Sequence, residues 1–508
     1  MPGVRVTPGA PLFSIIHRAY NHFLLIPLRL CDKFETVVVT RVLICSMRGF
    51  EFMDDNEVLS VIRNKLFYGS ADYTKSQPDL FTPHRFKMLA PSGINSFLDN
   101  VKESLAEEEE LLLYVHLPFC ISECLFCNSF PHKADRKVQK DYLQNVLKEI
   151  ELLSNQGIFE GKKARCIYFG GGTPTSFSND DIKLILDAIL SHINLSDNCS
   201  ITSEAHPVTL ADKNRVAKLG NIGITRLSIG CQTFDQSILL RCNRKNTEEQ
   251  ILRIVKDAHD ADISINIDMM TGLPGQTIES VKRDLAILEK IRPDSVEYIR
   301  HEIVNSLVVK LYKDNPDLVV SDDTLFEMVR ITQQWMSANG YQQNGRFTDD
   351  TQWGYRYHWL KEMPIIAFGS RARSYTKTIC YDKHEELSTY RNVLRKGLLP
   401  IGRYILFTKR EQMYRTLLLN LQLQSGLNIN QFRNRFSVDP LILFNSLISK
   451  LNEYGCLKQE NGAISLTKYG AYFVEDVCDY IIDTVLKEES KDLLRTPHST
   501  GRTSARLQ

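Results

Sequence analysis

The sequence predicts an α/β fold, a partial (β/α)6 barrel followed by a helical, winged-helix-like C-terminal region. From Leu111 onward, short apolar runs alternate with amphipathic stretches of helical length, the order that builds a parallel sheet from βα units. Six such units are present, too few for a closed eight-stranded barrel. After residue 410 the pattern changes to consecutive helices and a short hairpin.

The strand candidates are short apolar runs: Leu111 to His116, Cys166 to Phe169, Ser200 to Glu204, Arg226 to Gly230, Ser264 to Met270 and Ser295 to Ile299. The helix candidates between them have apolar residues three or four positions apart: Lys137 to Leu153, Asp180 to His192, Glu248 to Asp260 and Thr277 to Glu289. A further helix is expected from Asp322 to Ala338, whereas residues 361–373 look irregular. Parallel strands end at one edge of a sheet, so we expect the functional residues in the loops that follow them.

The composition excludes a disordered chain, because 43% of the 508 residues are hydrophobic. Lys and Arg number 62 against 61 Asp and Glu, so charge gives no reason to expect a nucleic-acid partner. The apolar stretches at 12–30 and 34–47 are interrupted by charged and titratable residues, which argues against a membrane span. The 12 cysteines are widely spread, as suits free thiols or metal ligands. We therefore expect a cytoplasmic protein.

The chain divides by composition into six segments. We expect a disordered extension or leader at 1–52, a lead-in at 53–110, the βα core at 111–305, a core extension and substrate-side segment at 306–409, the winged-helix-like domain at 410–490 and a disordered tail at 491–508. The first segment contains Pro2, Pro8 and Pro11 and is rich in Arg. The last is rich in Ser, Thr and Arg.

Three cysteines carry the strongest chemical signal. Cys120, Cys124 and Cys127 follow the first predicted strand at C-x3-C-x2-C spacing. Thiolates are the ligands of iron-sulfur clusters, and three from one loop leave one iron of a [4Fe-4S] cube without a protein ligand. Two alternatives stay open: a closed zinc site completed by His116 or His132, and chance clustering of buried cysteines.

Five motifs surround and follow this loop. They are Tyr114-Val-His-Leu-Pro-Phe-Cys, Gly170-Gly-Gly-Thr-Pro-Thr175, Arg226-Leu-Ser-Ile-Gly-Cys-Gln232-Thr-Phe, Cys242-Asn-Arg244 and Asn266-Ile-Asp268-Met-Met-Thr-Gly-Leu-Pro-Gly-Gln-Thr277. With the cysteine loop, they resemble the radical S-adenosylmethionine (SAM) superfamily and, within it, the oxygen-independent coproporphyrinogen III oxidase family. The resemblance extends from about Leu111 to Asn305, with a weaker echo at Leu466-Thr-Lys-Tyr-Gly470.

The resemblance implies a [4Fe-4S] cluster on the three cysteines and one or two molecules of SAM. It also implies cleavage of SAM to a 5'-deoxyadenosyl radical, with the electron supplied by a reducing partner such as flavodoxin or ferredoxin. The implied SAM contacts are Tyr114, Phe126, Gly171, Gly172, Thr173, Glu204, Gln232, Arg244 and Asp268.

Some of these residues can also be interpreted on their chemistry alone. The run Gly170 to Gly172 lets the backbone approach a ligand closely, although a tight turn explains it as well. Asp268 lies in an apolar strand, which is costly unless the carboxylate binds ligand hydroxyls or pairs with a cation such as Arg244. Tyr114 and Phe126 either shield the cluster and stack on an adenine, or pack in the core.

Several features depart from the oxidases. Ser129 stands where the oxidases have a fourth cysteine, and their N-terminal Arg-Tyr-Thr-Ser-Tyr-Pro segment is missing. The segment Gly369-Ser-Arg371-Ala-Arg373 is charged, where relatives have small or apolar residues and haem chaperones have Gly-Ala-His. We therefore expect a small-molecule substrate, a tetrapyrrole or an aromatic heterocycle, with methylation ahead of oxidative decarboxylation and haem binding as a further alternative.

Overall fold

The structure is a computed structural model that describes residues 85–127, 129, 131–301, 306–341 and 354–495, except for the side chains of 487–495. The predicted extension at 1–52, the lead-in residues 53–84 and the tail residues 496–508 lie outside the described residues. None of the described helices is both long and apolar enough to cross a membrane.

The strands are β1 (Lys87–Met88), β2 (Glu110–Leu117), β3 (Phe119–Cys120), β4 (His132–Lys133), β5 (Lys163–Gly171), β6 (Asn194–Ala205), β7 (Arg226–Gln232), β8 (Ser264–Thr271), β9 (Ser295–Arg300), β10 (Ile365–Phe368), β11 (Arg373–Tyr375), β12 (Ile379–Lys383), β13 (Ile401–Leu406), β14 (Leu427–Asn428), β15 (Leu457–Glu460) and β16 (Ala463–Leu466).

The helices are α1 (Ile94–Ser104), α2 (Arg136–Ser154), α3 (Asn179–Leu190), α4 (Arg215–Asn221), α5 (Gln236–Arg241), α6 (Glu248–His259), α7 (Ile278–Ile291), α8 (Ser306–Asp314), α9 (Asp322–Ala338), α10 (Gly354–Leu360), α11 (Leu387–Arg395), α12 (Lys409–Leu421), α13 (Ile429–Phe436), α14 (Pro440–Leu443), α15 (Asn445–Glu453) and α16 (Val474–Arg495).

One mixed sheet organises the described residues, with eleven strands in the order β1-β13-β12-β11-β10-β2-β5-β6-β7-β8-β9. The six neighbours β2 and β5 to β9 are parallel, and each contains one of the six predicted strands. The predicted fold class, a partial barrel with a helical C-terminal region, is confirmed. Since all six strands point the same way, their carboxyl ends meet at one rim.

The helices between these strands begin at side-chain caps. Ser178, Thr247 and Thr277 each accept a hydrogen bond from a backbone N–H three positions on and form capping boxes for α3, α6 and α7. Each helix then buries an apolar face, which in α6 is formed by Ile251, Ile254, Val255 and Ala258. The four helix candidates of the core are therefore present, each within two residues of its predicted ends.

The stretch 361–373, which looks irregular in sequence, contains β10. This strand pairs in parallel with β2, with Ile365 opposite Leu112 and Phe368 opposite Val115. All four of its residues are buried, so the run lacks the alternation that marks a half-exposed strand. From β10 the sheet continues antiparallel through β11, β12 and β13, and these strands build a wall that faces the rim of the barrel.

The C-terminal region contains the helices α12 to α15 and the hairpin β15–β16, to which β14 adds a third strand. The helix α16 continues to Arg495, four residues past the expected start of the tail at residue 491. Its last turns contain Leu493 and Leu494, which have good helix propensity. The boundaries of the six predicted segments otherwise stay predictions.

A buried ion pair fixes the turn after β10 against α2. Lys383 Nζ lies 2.7 Å from Glu149 Oε1, and neither side chain is exposed. Glu149 Oε2 accepts hydrogen bonds from Gly369 N–H at 2.8 Å and from Tyr390 O–H at 2.6 Å. One carboxylate therefore joins α2, the turn after β10, the end of β12 and α11.

Replacement of Lys383 by Met tests the importance of this pair. The change leaves the Glu149 carboxylate buried without its cation, and we expect the free energy of unfolding to fall by about 3–5 kcal/mol. Urea denaturation followed by circular dichroism measures the change.

Lys183→Met is the matched control, because its pair with Asp187 is exposed, and we expect a change of less than about 1 kcal/mol. Adding Glu149→Gln to Lys383→Met should recover part of the loss. Equal stability of wild type and Lys383→Met would show that the pair does not hold this region together.

Candidate functional site

The three cysteines of the predicted cluster site lie together in the loop that follows β2. Cys120 ends β3, and a turn with a hydrogen bond from Cys127 N–H to Cys124 O at 3.1 Å joins the other two. Burial raises the pKa of Cys120 to about 11, and the nearby thiols of Cys127 and Cys124 contribute to the rise. All three thiols are half-buried, so the loop presents them at a partly shielded surface.

Two of the predicted SAM contacts touch these cysteines. Arg244 donates a hydrogen bond from Nη1 to Cys124 Sγ at 3.2 Å, and Thr173 Oγ1 lies 3.2 Å from Cys120 Sγ. The Arg244 guanidinium also lies 5.9 Å from the centre of the Phe126 ring. These contacts bring Arg244 and Thr173 to the cysteine loop.

Within the described residues, no three His, Cys, Asp or Glu side chains converge on a single metal-ion position. A [4Fe-4S] cube differs from a site for a single metal ion, because each thiolate binds a separate iron of the cube. Three thiols in one loop, with a cation and a hydroxyl beside two of them, fit the cluster.

The glycine run after β5 packs against the cluster loop. Gly172 N–H donates to Leu117 O at 3.1 Å and Thr173 N–H to Phe119 O at 2.8 Å. A Cβ atom on Gly172 would lie 2.6 Å from the backbone nitrogen of Phe119, and one on Gly171 would lie 2.5 Å from the His116 ring. The glycines are thus required by the contact between two strand ends, whether or not a ligand is present.

Glu204 is the penultimate residue of β6 and lies beside this run. Its carboxylate accepts hydrogen bonds from Tyr168 O–H at 3.0 Å and from Gly171 N–H at 3.2 Å. Burial raises the pKa of Glu204 to about 7, although both hydrogen bonds oppose the rise. A Glu at the end of a strand is ordinarily interpreted as an exposed capping residue. That interpretation does not apply to Glu204, since its side chain turns into the barrel.

Asp268 lies in the barrel on β8. It accepts hydrogen bonds from Ser228 O–H, at 3.2 and 3.3 Å to its two oxygens, and from the Asn266 amide. Burial raises its pKa, and the charge of Glu204 adds to the rise. The alternative pairing with Arg244 is not present, because that guanidinium donates to Gly230 O, Asn246 and Cys124.

Gln232 ends β7 in a left-handed conformation, with φ at 76°, which is uncommon for a residue with a side chain. Its Oε1 is buried and has no hydrogen-bond partner among the described residues. A buried amide oxygen without a partner is costly. The geometry therefore suits a ligand that donates a hydrogen bond at this strand end.

Tyr114 and Phe126 have different surroundings. Tyr114 O–H lies 3.1 Å from His116 Nδ1, and its ring stacks 6.1 Å from that of Tyr168, so it forms part of an aromatic wall. Phe126 packs against the small apolar cluster that contains Met270. This contact corresponds to the alternative in which Phe126 packs in the core.

A cavity of 880 Å³ opens beside the rim of the barrel. Tyr114, His116, Gly171 and Glu204 line one side of it, and residues of β11 to β13 and their turns line the other. Gln232, Arg244 and Asp268 lie deeper in the barrel and are not part of the lining. The predicted contacts are thus divided between the cavity wall, the barrel interior and the cluster loop.

Two departures from the oxidase motifs are in contact. Arg371, at the turn after β10, donates a hydrogen bond from Nη1 to the backbone oxygen of Ser129 at 3.1 Å. Its own N–H donates to His384 O at 3.0 Å, and its φ is 63°. This turn therefore connects the cluster loop with the strands that form the far cavity wall.

Sequence reasoning missed several residues of the barrel interior. Glu297 on β9 lies opposite Asp268 in the sheet, and burial and the Asp268 charge raise its pKa. Arg226, which is buried on β7, contributes a nearby positive charge. A charged residue within an apolar strand is the signal that identified Asp268, and it would have found Glu297 as well.

Comparisons with known proteins agree with this geometry. Residues 114–288 match the model of the radical SAM superfamily, and residues 407–473 match the HemN C-terminal domain. An oxygen-independent coproporphyrinogen III oxidase of Pseudomonas aeruginosa is 26% identical over 76% of this chain and 89% of its own length. The haem chaperone HemW of Escherichia coli is 29% identical over 46% of this chain and 61% of its own length.

Among solved structures, coproporphyrinogen III oxidase (HemN) from Escherichia coli superposes with a TM-score of 0.67. The match covers 82% of this chain and 97% of that one, at 21% identity, and so shows a shared fold. The expected preference for methyl transfer finds no support in these comparisons, which favour the oxidase alternative. Radical SAM proteins use a [4Fe-4S] cluster and SAM, as the sequence motifs imply. In residues 114–288 and 407–473 the chain is similar to the radical SAM superfamily and, within it, to the oxygen-independent coproporphyrinogen III oxidase-like proteins.

Proposed function

We propose that this chain is a cytoplasmic radical SAM enzyme that acts on a tetrapyrrole, by oxidative decarboxylation of coproporphyrinogen III. The observation that carries the proposal is the cavity of 880 Å³, which has the predicted SAM contacts Tyr114, Gly171 and Glu204 on one wall and the strands β11–β13 on the other. This volume lies in the range of specific ligand pockets. A relative that aligns with 76% of the chain is named for this reaction.

The cluster loop and its neighbours hold the iron-sulfur group. Cys120, Cys124 and Cys127 provide the three thiolates, and Arg244 stabilises the negative charge of one of them from 3.2 Å. Thr173 orients another through its hydroxyl. When they are bound, the cluster and SAM supply the chemistry that abstracts a hydrogen atom.

The barrel residues orient SAM. Glu204 and Asp268 are half-buried carboxylates that accept hydrogen bonds, and they suit the hydroxyl groups of a ribose. Gln232 offers the unpartnered amide oxygen. Because these groups are shielded from water, each is stronger as a ligand contact than it would be at the surface. The same residues would hold a second SAM molecule only if the cavity admits it beside the substrate.

The proposed reaction converts a propionate side chain into a vinyl group. Each conversion releases CO2, one hydrogen atom and one electron. SAM, when bound, would supply the chemistry that takes up the hydrogen atom, and the electron would go to a one-electron acceptor. A reducing partner such as flavodoxin or ferredoxin would supply the electron that this chemistry requires. Conversion of two propionates gives protoporphyrinogen IX.

Haem binding without turnover is the second candidate. It is favoured by Ser129, which stands where the oxidases have their fourth cysteine and whose carbonyl is held by Arg371. The haem chaperone HemW of Escherichia coli aligns with 46% of this chain. A chaperone role would use the same cavity to bind haem and would leave the tetrapyrrole unchanged.

Removal of the three cluster cysteines by a Cys120→Ala, Cys124→Ala, Cys127→Ala variant should abolish iron and labile sulfide binding. Anaerobic reconstitution followed by metal analysis should find about four irons per chain in wild type. Cys199→Ala is the control, since this thiol lies outside the loop. Zinc without sulfide in wild type, or full iron content in the triple variant, would contradict the assignment.

Asp268→Asn should lower the rate of 5'-deoxyadenosine formation by about ten- to a hundredfold under strong reductant, because a buried ligand contact loses its charge. Chromatography of the reaction mixture measures the nucleoside. Glu411→Gln is the matched control, a buried carboxylate with its own hydrogen bonds in the C-terminal region. Equal rates for Asp268→Asn and wild type, at equal iron content, would remove Asp268 from the SAM site.

Wild-type protein with coproporphyrinogen III, SAM and reductant should form protoporphyrinogen IX and CO2 under anaerobic conditions. Porphyrins are separated by chromatography after oxidation, with the triple cysteine variant as control. Tight haem binding with no turnover would favour the chaperone. Transfer of the labelled methyl group of SAM to the product would instead show methylation.

A further inference from the structure

Three charged side chains stand side by side on the far wall of the cavity. Arg373 on β11 lies directly opposite Asp382 on β12, which in turn lies opposite Arg403 on β13. Arg373 Nε is 2.5 Å from Asp382 Oδ1, and Arg403 Nε is 2.6 Å from Asp382 Oδ2. We refer to these three residues as the arginine ladder. All of them line the cavity.

The arginine ladder carries two positive charges and one negative charge. Asp382 is 9% exposed, whereas Arg373 and Arg403 are 24% and 49% exposed, so the guanidinium groups are the parts that reach the cavity. Phe86 packs beneath both of them, with its ring centre 5.3 Å from Arg373 and 4.4 Å from Arg403. The aromatic contact and the shared carboxylate orient the two arginines as a fixed pair.

The rest of the cavity adds to this positive charge. Its lining includes five cationic side chains, Arg356, Arg371, Arg373, Lys383 and Arg403, against three acidic ones, Glu204, Asp382 and Glu385. Lys383 is paired behind the wall with Glu149, and Arg371 lies 3.4 Å from Glu385. The histidines give no further charge at neutral pH, because burial lowers the pKa of His116 to about 4 and that of His384 in the same direction.

A cross-strand ion pair that served only the sheet would need one arginine. The second arginine adds a donor group whose planar geometry suits a carboxylate, which it can bind through two parallel hydrogen bonds. A neutral, planar ligand would gain nothing from a second guanidinium. The charge of the arginine ladder therefore indicates an anionic group on the ligand.

We infer that the arginine ladder is an anion subsite that binds a carboxylate of the substrate, so that the cavity selects tetrapyrroles by their ionised propionates. The inference rests on the proposed function and deepens it. The carboxylate contacts Arg403 and Arg373, and the macrocycle extends across the cavity toward Gly171 and Glu204. The resulting selectivity depends on the number of carboxylates on the ring.

Arg403→Gln tests the subsite, because it removes one guanidinium and leaves the pair of Arg373 with Asp382 intact. Fluorescence titration compares coproporphyrin III, which has four carboxylates, with mesoporphyrin IX, which has two on a similar ring. We expect wild type to prefer coproporphyrin III. The variant should bind it about ten- to a hundredfold more weakly, with a smaller loss for mesoporphyrin IX and a weaker dependence on salt.

Arg433→Gln is the matched control, an arginine of similar exposure paired with Asp439 in the C-terminal region, and its affinities should equal those of wild type. Asp382→Asn is a second variant, which should keep or raise the affinity for coproporphyrin III because it adds net positive charge. A structural role alone would predict equal losses for both porphyrins in Arg403→Gln and a loss in Asp382→Asn, and either result would overturn the inference.

The rate of 5'-deoxyadenosine formation without substrate should be unchanged in Arg403→Gln, which separates the subsite from the SAM site. Turnover of coproporphyrinogen III by wild type with no preference between the two porphyrins would reject the subsite and keep the proposed function. Failure of wild type to bind or convert any tetrapyrrole would reject both.

Discussion

The contact between the ends of β2 and β5 is the constraint on which the site depends. Gly172 leaves no space for a Cβ atom against the backbone of Phe119, and the hydrogen bonds of Gly172 and Thr173 tie the two strand ends together. Thr173 thereby reaches Cys120, and the neighbouring Gly171 N–H reaches Glu204. A side chain at 172 would separate the strand ends and, with them, the cluster loop and the barrel interior.

The barrel interior concentrates negative charge where water has little access. Glu204, Asp268 and Glu297 face the same space, and burial raises the pKa of all three. The charge of Arg226 and a set of hydroxyl and amide donors offset part of the free-energy cost of burying these carboxylates. An arrangement of this kind lowers stability unless a ligand uses it. The carboxylates are therefore better explained by ligand binding than by the packing of the barrel.

The second wall of the cavity comes from a part of the chain that follows the barrel. The strands β10 to β13 extend the sheet beyond β2, and Glu149 holds the turn after β10 from behind. Arg371 then connects this turn to Ser129 at the end of the cluster loop. The proposed cofactor contacts and the proposed substrate contacts thus lie on different segments of the chain.

The sequence by itself determined the barrel strands, the helices between them and the cysteine loop. Their signals are local: apolar runs of strand length, capped amphipathic helices and three thiols within eight residues. The sequence also identified Asp268 as an unusual residue, since a single carboxylate within an apolar strand can be recognised without the structure. The strand β10 could not be recognised, because four buried residues show no alternation.

Only the tertiary structure decided which of these residues meet. Arg244 is 120 positions from Cys124 and contacts its sulfur, and Ser129 and Arg371 are 242 positions apart. The arginine ladder depends on the register of three antiparallel strands, and a shift of one residue would turn its side chains to the opposite face. Register and long-range pairing are set by the packing of the whole sheet, which no local pattern in the sequence contains.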